Sequence, residues 1–141
     1  MAERGEPAVS NVGFALALNR EVLDGYDAVM MYGNWNQSGP MDPTQEKALV
    51  GYVENGGAFL PIHCASACFG ASDAFIKLVG GRFKSHGDGV FRTTITAPDH
   101  PVMKGFEGFE TWDETYVHDR HGDDRTILQR RDQEPWTWVR Q

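Results

Sequence analysis

The sequence lacks any apolar run approaching the roughly 20 residues that cross a bilayer, and its opening segment, residues 1–7, lacks the apolar core of a secretory signal. Neither a membrane span nor a leader is therefore expected in the chain as given. Basic residues are also scarce. Thirteen Lys and Arg stand against 20 Asp and Glu, for a formal net charge of −7. A surface of that sign, with no basic stripe interleaved with aromatics, repels a polyphosphate backbone and excludes nucleic acid as the expected partner. Cysteine is nearly absent: Cys64 and Cys68 are four positions apart, which suits neither a zinc-knuckle pair nor a disulfide scaffold. Two free thiols favour a reducing compartment, so the cytoplasm is the expected location. No internal repeat, low-complexity tract or Pro/Ser linker divides the chain. Its 141 residues, 40% hydrophobic, read as one domain around one core.

Short apolar runs alternate with breakers, as in an α/β domain. The run Ala28 to Tyr32 follows the turn-forming Asp24-Gly25-Tyr26-Asp27, and its continuous apolarity predicts an interior parallel strand buried on both faces. Asp42-Pro43 supplies a helix cap and a first-turn proline, and Ala48, Leu49, Tyr52 and Val53 recur at helical spacing before Asn55-Gly56-Gly57. A second buried strand is expected over Ala58 to Ile62, with an irregularity from Pro61 near its end. It leads straight into His63-Cys64-Ala65-Ser66. Residues 72–79 predict a second helix with Phe75, Ile76 and Val79 inward, ended by Gly80-Gly81. From there the pattern turns to alternation, and strands are expected over Val90 to Thr96, Glu114 to His118, Arg125 to Gln129 and Trp136 to Arg140. The last of these stops at Gln141 with nothing to terminate it, and residues 10–23 have only weak periodicity, so both ends are expected to be cut.

A strand that ends in a tight turn before a helix presents the turn residue at the carboxyl edge of the sheet, where open α/β folds bind ligands. His63 and Cys64 occupy that place, and Ala65, Ser66 and Ala67 are small enough to leave room for a substrate, as at the elbow of hydrolases. The plainer reading makes His63 a loop-bonding residue and Cys64 core filling. His86, His100 and His118 also fall where element ends are expected, and imidazoles with a carboxylate can bind a divalent metal or shuttle protons. His100, between Asp99 and Pro101, reads as turn-stabilising, and His121, in a polar stretch, as solvated. Alternation places Trp112, Glu114 and Tyr116 on one strand face, where a buried Glu114 would need a partner. Trp35, Trp112, Trp136 and Trp138 suit either a core or stacking on a sugar ring.

Taken together, several segments resemble one family: Tyr26-Asp27-Ala28-Val29, Tyr52 to Gly57, Pro61-Ile62-His63-Cys64-Ala65, Leu78 to His86, Asp99-His100-Pro101-Val102 and Asp113 to His118. In that order they resemble the ThuA-like (trehalose utilisation) domains of the class I glutamine amidotransferase-like superfamily. The resemblance implies an α/β, flavodoxin-like three-layer fold with a mostly parallel sheet plus a β-rich C-terminal part. It also implies a missing N-terminal strand and helix and a missing C-terminal end. Where the amidotransferases carry a cysteine nucleophile followed by glycine, this chain has His63 followed by Cys64, which argues against glutaminase chemistry.

What the resemblance implies for function is a carbohydrate-utilisation protein acting on a keto-sugar, a trehalose-type disaccharide or a related glycoside. His63, Glu114 and His118 are the expected catalytic residues. Trp35, Cys64, Trp112 and Tyr116 are expected to bind substrate, and His63 and His86 to ligate a divalent metal, zinc first. A small-molecule carbohydrate and a sugar dehydrogenase are the expected partners, and association into a homo-oligomer is allowed for. Two alternatives stay open: a cysteine-dependent amidase or peptidase of the same fold, and a non-catalytic sugar-binding or interaction module of a larger protein.

Overall fold

The computed structural model describes residues 18–140. Helices and strands are mixed along the chain, which makes the fold α/β, and the residues divide after Leu78 into two compact units.

Among the described residues the first unit begins with α1 (Arg20–Leu23), capped by the Asn19 side chain, which accepts the Val22 N–H. Strand β1 (Ala28–Tyr32) pairs in parallel with β2 (Ala58–Ile62), and α2 (Pro43–Glu54) connects them. The sequence signals for α2 act as expected. Asp42 accepts the N–H groups of Thr44 and Gln45, and Ala48, Leu49 and Tyr52 are buried. Tyr52 links two of the segments that carry the family resemblance. Its hydroxyl donates to the Tyr26 carbonyl at 3.0 Å, and its ring lies where a Cβ at residue 57 would fall, so only glycine fits there. After β2 come a 3-10 turn (His63–Ala67) and α3 (Asp73–Val79), whose first turn is closed by the Ser72 hydroxyl accepting the Phe75 N–H. Phe75 meets Phe59 and Phe69 edge-on, at 6.1 and 5.1 Å between centroids, and forms the aromatic centre of this unit's core.

Two expectations for this unit are corrected. The strands are not buried on both faces: Met30 and Tyr32 are 66% and 71% exposed, and Leu60 is 50% exposed. Side chains alternate along a strand, so Met31 and Phe59 turn toward the core while their neighbours turn away from it. Pro61 introduces no irregularity, since it stays in register with Met31; the chain breaks only after Ile62.

The second unit is antiparallel. A long ribbon pairs β3 (Arg82–Arg92) with β5 (Glu110–Asp119), and a three-stranded sheet has the order β4 (Thr94–Ile95), β6 (Thr126–Arg131), β7 (Glu134–Val139). The expected strand over Val90 to Thr96 is split in two, and β3 begins eight residues earlier than its alternation signalled, at Arg82. The mostly parallel sheet is likewise corrected. Among the described residues the only parallel pairing is β1 with β2, because β6 and β7 are joined by the short turn Asp132-Gln133, which permits only an antiparallel pair. No helix among the described residues is long and apolar enough to cross a membrane.

Candidate functional site

In the first unit the chemistry is placed by the backbone. His63 adopts φ +50°, a left-handed conformation that is costly for a residue with a Cβ and that marks functional turns. It follows β2 directly, so its imidazole stands at the strand's carboxyl end, edge-on to Tyr32 at 6.4 Å. The Ser66 hydroxyl donates to the His63 carbonyl at 2.9 Å, and Ala65 and Ala67 are buried, which closes the turn tightly. The strained residue is thus His63, while Cys64 beside it is half-buried with ordinary φ.

Cys68 has a role that the sequence gave no signal for. Its sulfur accepts the Trp35 N–H at 3.0 Å, and its S–H donates to the Gly33 carbonyl at 3.2 Å. Burial pushes this thiol's pKa up, so it remains protonated and able to donate. Cys68 therefore ties the loop after β1 to the turn after β2, and holds the half-exposed Trp35 on that loop.

In the second unit the chemistry is placed by strand register. Opposite residues of an antiparallel pair share a face. The pairs Phe83 with His118, His86 with Tyr116, Asp88 with Glu114 and Val90 with Trp112 therefore line one face of the β3–β5 ribbon. Phe83 and His86 are three apart and would normally point to opposite faces. The register shift between Phe83 and Ser85 inserts Lys84 as an extra residue and brings His86 round to the face of Phe83. His86 is thus a mid-strand residue, not the element end expected from sequence.

The face is aromatic at one end and acidic in the middle. His86 stacks on Tyr116 at 5.6 Å and 30°, Phe83 lies 4.7 Å from Tyr116, and Tyr116 is 6.1 Å from His118. His86 Nε2 lies 3.6 Å from Glu114 Oε1, close enough for an ion pair when the ring is protonated, and its Nδ1 is within hydrogen-bond distance of the Gly87 carbonyl at 3.0 Å. Both side chains are about two-fifths exposed and reachable from solvent. Trp112, 65% exposed, stands two residues beyond Glu114 on the same face.

His118 is different. Its ring is 7% exposed and meets Trp138 edge-on at 5.3 Å. Burial lowers its pKa from 6.5 to about 4, although Glu134 opposes the shift, so it is neutral at physiological pH. Trp138 is fixed by its indole N–H, which donates to the Val79 carbonyl at 2.8 Å, and by the Arg125 guanidinium 4.9 Å above its ring. Of the two other tryptophans at the C-terminus and in the loop, Trp136 packs on Phe91 and Trp35 is held as described.

Residues 5–141 match the family model ThuA, trehalose utilisation. The chain belongs to the ThuA family.

Among solved structures, a ThuA-like protein from Bacteroides uniformis is similar, with a TM-score of 0.64 and 22% identity over 82% of this chain and 49% of that one. Its likeness carries the fold alone, and this ThuA chain spans about half the length of the protein it matches. No curated protein matches. Of the site residues expected for a ThuA domain, His86, Trp112, Glu114, Tyr116 and His118 come together on one ribbon face, and His63 and Cys64 adjoin on the turn of the other unit. His63 and His86, expected as common metal donors, belong to different units. Among the described residues no group of three or more His, Cys, Asp or Glu gathers at metal-binding distance. Asp88, Phe83 and Glu134 were not signalled. Only the register, the bulge and a cross-strand contact reveal them. His100 accepts the Val102 N–H at the start of a short 3-10 turn, as its sequence context predicts, and His121 is exposed.

Proposed function

We propose that this ThuA chain acts on a keto-sugar by acid/base chemistry on the β3–β5 ribbon. The observation that carries the reading is the solvent-reachable His86–Glu114 pair, 3.6 Å apart and two residues from an exposed tryptophan on the same face. A sugar ring presents an apolar face that stacks on an indole and hydroxyls that meet polar neighbours. With a ketone on that ring, the Glu114 carboxylate can take a proton from the carbon beside the carbonyl while the His86 imidazolium protonates the carbonyl oxygen, which gives the neutral enol. Such a ketone arises by two-electron oxidation of a secondary alcohol, which is why a sugar dehydrogenase is the proposed partner. In the first unit, we read β1 and β2 with their helices as part of a flavodoxin-like layer related to the glutamine amidotransferases, with His63 a further proton-transfer group.

The test is solvent exchange. The protein is incubated with a keto-disaccharide in deuterium oxide, and the carbons flanking the ketone are followed by NMR. Deuterium incorporation that falls by about 10²–10⁴-fold in Glu114→Gln supports the reading. Saturable quenching of tryptophan fluorescence with no exchange would instead favour a sugar-binding module, for which the exposed Trp112 speaks. A divalent metal belongs to the same test: elemental analysis of the parent, His63→Ala and His86→Ala proteins shows whether either imidazole holds zinc. The cysteine-dependent alternative is carried by Cys64 and fails if iodoacetamide leaves that thiol unmodified in folded protein.

A further inference from the structure

Strand β3 pairs with β5 along one edge, and among the described residues its other edge pairs with no strand. Residues 84–88 are exposed, so the backbone groups of that edge are open to a further chain. Edge strands are usually guarded by a lysine or a bulge. Here Lys84 and its bulge guard one end, while residues 85–89 continue in regular register with β5. On one face of this stretch Ser85, Gly87 and Gly89 are small, and on the other stand one imidazole and one carboxylate, His86 and Asp88. That pattern is complementary to itself. A two-fold axis perpendicular to the ribbon keeps every residue on its own face, so two copies of β3 pair symmetrically only in registers centred on a residue. Centring on His86 or Asp88 sets identical titratable groups opposite each other, and centring on Ser85 or Gly89 sets His86 opposite Lys84 or Arg92. Centring on Gly87 sets His86 opposite Asp88 of the second copy, twice by symmetry, with Ser85 opposite Gly89.

We infer that the open edge of β3 is a homodimer interface, in which two copies of this chain join through residues 85–89, centred on Gly87, into one antiparallel sheet of the order β5-β3-β3-β5. The pairing offsets an unfavourable feature of the single ribbon. Asp88 lies directly opposite Glu114, and like charges across a strand pair repel. In the dimer each Asp88 stands between Glu114 of its own ribbon and His86 of the second copy, which sets an imidazole beside the two carboxylates. The contact of His86 Nδ1 with the Gly87 carbonyl is compatible with the ladder, since a carbonyl oxygen accepts through two lone pairs. The two His86–Glu114 pairs then share one continuous face, and each gains Asp88 of the second copy as a neighbour. That last consequence rests on the acid/base reading of the face, but the dimer itself does not.

Sedimentation velocity on the 141-residue protein should show monomer at about 1 μM passing to dimer by about 300 μM, because a short edge ladder buries less than a standard interface. A protein that stays monomeric over that range overturns the inference. Gly87→Cys reads the register. Opposite Cα atoms of an antiparallel pair lie about 4.5–5.5 Å apart, within disulfide reach, and the Thr115 hydroxyl, 3.2 Å from the new Cβ, can turn aside. Oxidation with diamide should link two Gly87→Cys chains into a species of twice the chain mass on a non-reducing gel. The parent and Ser85→Cys should stay single, since in this register the two 85 positions are about 13 Å apart. Cross-linking of Ser85→Cys in place of Gly87→Cys overturns the register. Asp88→Arg gains an opposite charge in Glu114 across its own ribbon and should fold, but it faces His86 of the second copy and should weaken association by about tenfold. Unchanged association in that variant overturns the inference as well. A dimer of the expected register with no deuterium exchange into any keto-disaccharide would leave the interface standing and remove the keto-sugar reading.

Discussion

In the first unit one backbone torsion presents the candidate imidazole: His63 stands at φ +50° where β2 gives way to a 3-10 turn. In the second unit no torsion is involved, and His86 is presented by the pairing of β3 with β5 and the one-residue bulge at Lys84. The difference teaches where each site is vulnerable. A turn site is sensitive to the residue at the strained position and indifferent to the rest of the strand. A ribbon site tolerates changes at single positions but loses every side chain from the face if the register slips by one. The cores differ as well: an aromatic cluster around Phe75 in the first unit, and in the second a ring of aromatics leaning on a buried, neutral histidine.

The aromatic cluster should give the largest effect. Phe75→Ala removes a ring that is 1% exposed, and is expected to cost about 4 kcal/mol in urea denaturation. A loss below about 1 kcal/mol would mean that the cluster does not hold the first unit.

Next comes the buried histidine. The folded-state pKa of His118 is lowered from 6.5 to about 4, so the unfolded chain binds the proton more readily between those values. Its contribution is fully present above pH 6.5 and is lost as pH falls toward 4, by about 3 kcal/mol at the lower limit. Comparing urea stability at pH 7.5 and 4 in the parent and in His118→Phe isolates this contribution from the carboxylates. An equal pH dependence in both proteins would show that His118 titrates normally.

The strained turn should respond in the opposite direction to most substitutions. His63→Gly relieves the left-handed conformation and is expected to raise stability by about 1–2 kcal/mol. If stability falls, the turn is held by side-chain contacts of His63 and the contrast with the ribbon site disappears. The smallest effect is expected at the α2 cap, where Asp42→Ala removes the acceptor for two N–H groups and should cost about 1 kcal/mol. Circular dichroism on thermal unfolding is sufficient to measure it.

Much of the first unit was legible because its signals are local. Residues 28–32 and 58–62 are strands with the limits that their apolar runs indicate, and Asp42-Pro43 starts a helix as capping rules require. The degree of burial was not legible, since continuous apolarity does not say whether both faces of a strand find cover. Met30 and Leu60 have the composition of core residues and lie in the open. In the second unit the strands were foreseen roughly and their starts poorly. Residues 82–89 hold two glycines, a lysine and an aspartate, a composition that masks the strand until its partner is known.

Sequence alone determined the α/β class, the sharp turn at His63-Cys64, the helix over 43–54 and the set of imidazoles and carboxylates, because each depends on residues close together in the chain. The family also follows from sequence. Tertiary structure alone decided that His86 shares a face with Glu114, that Glu134 reaches His118, and that Cys68 restrains the Trp35 loop. These partners lie 16 to 33 positions apart. Such contacts depend on strand register and on a single inserted residue, which shift every downstream side chain from one face to the other while leaving local composition unchanged.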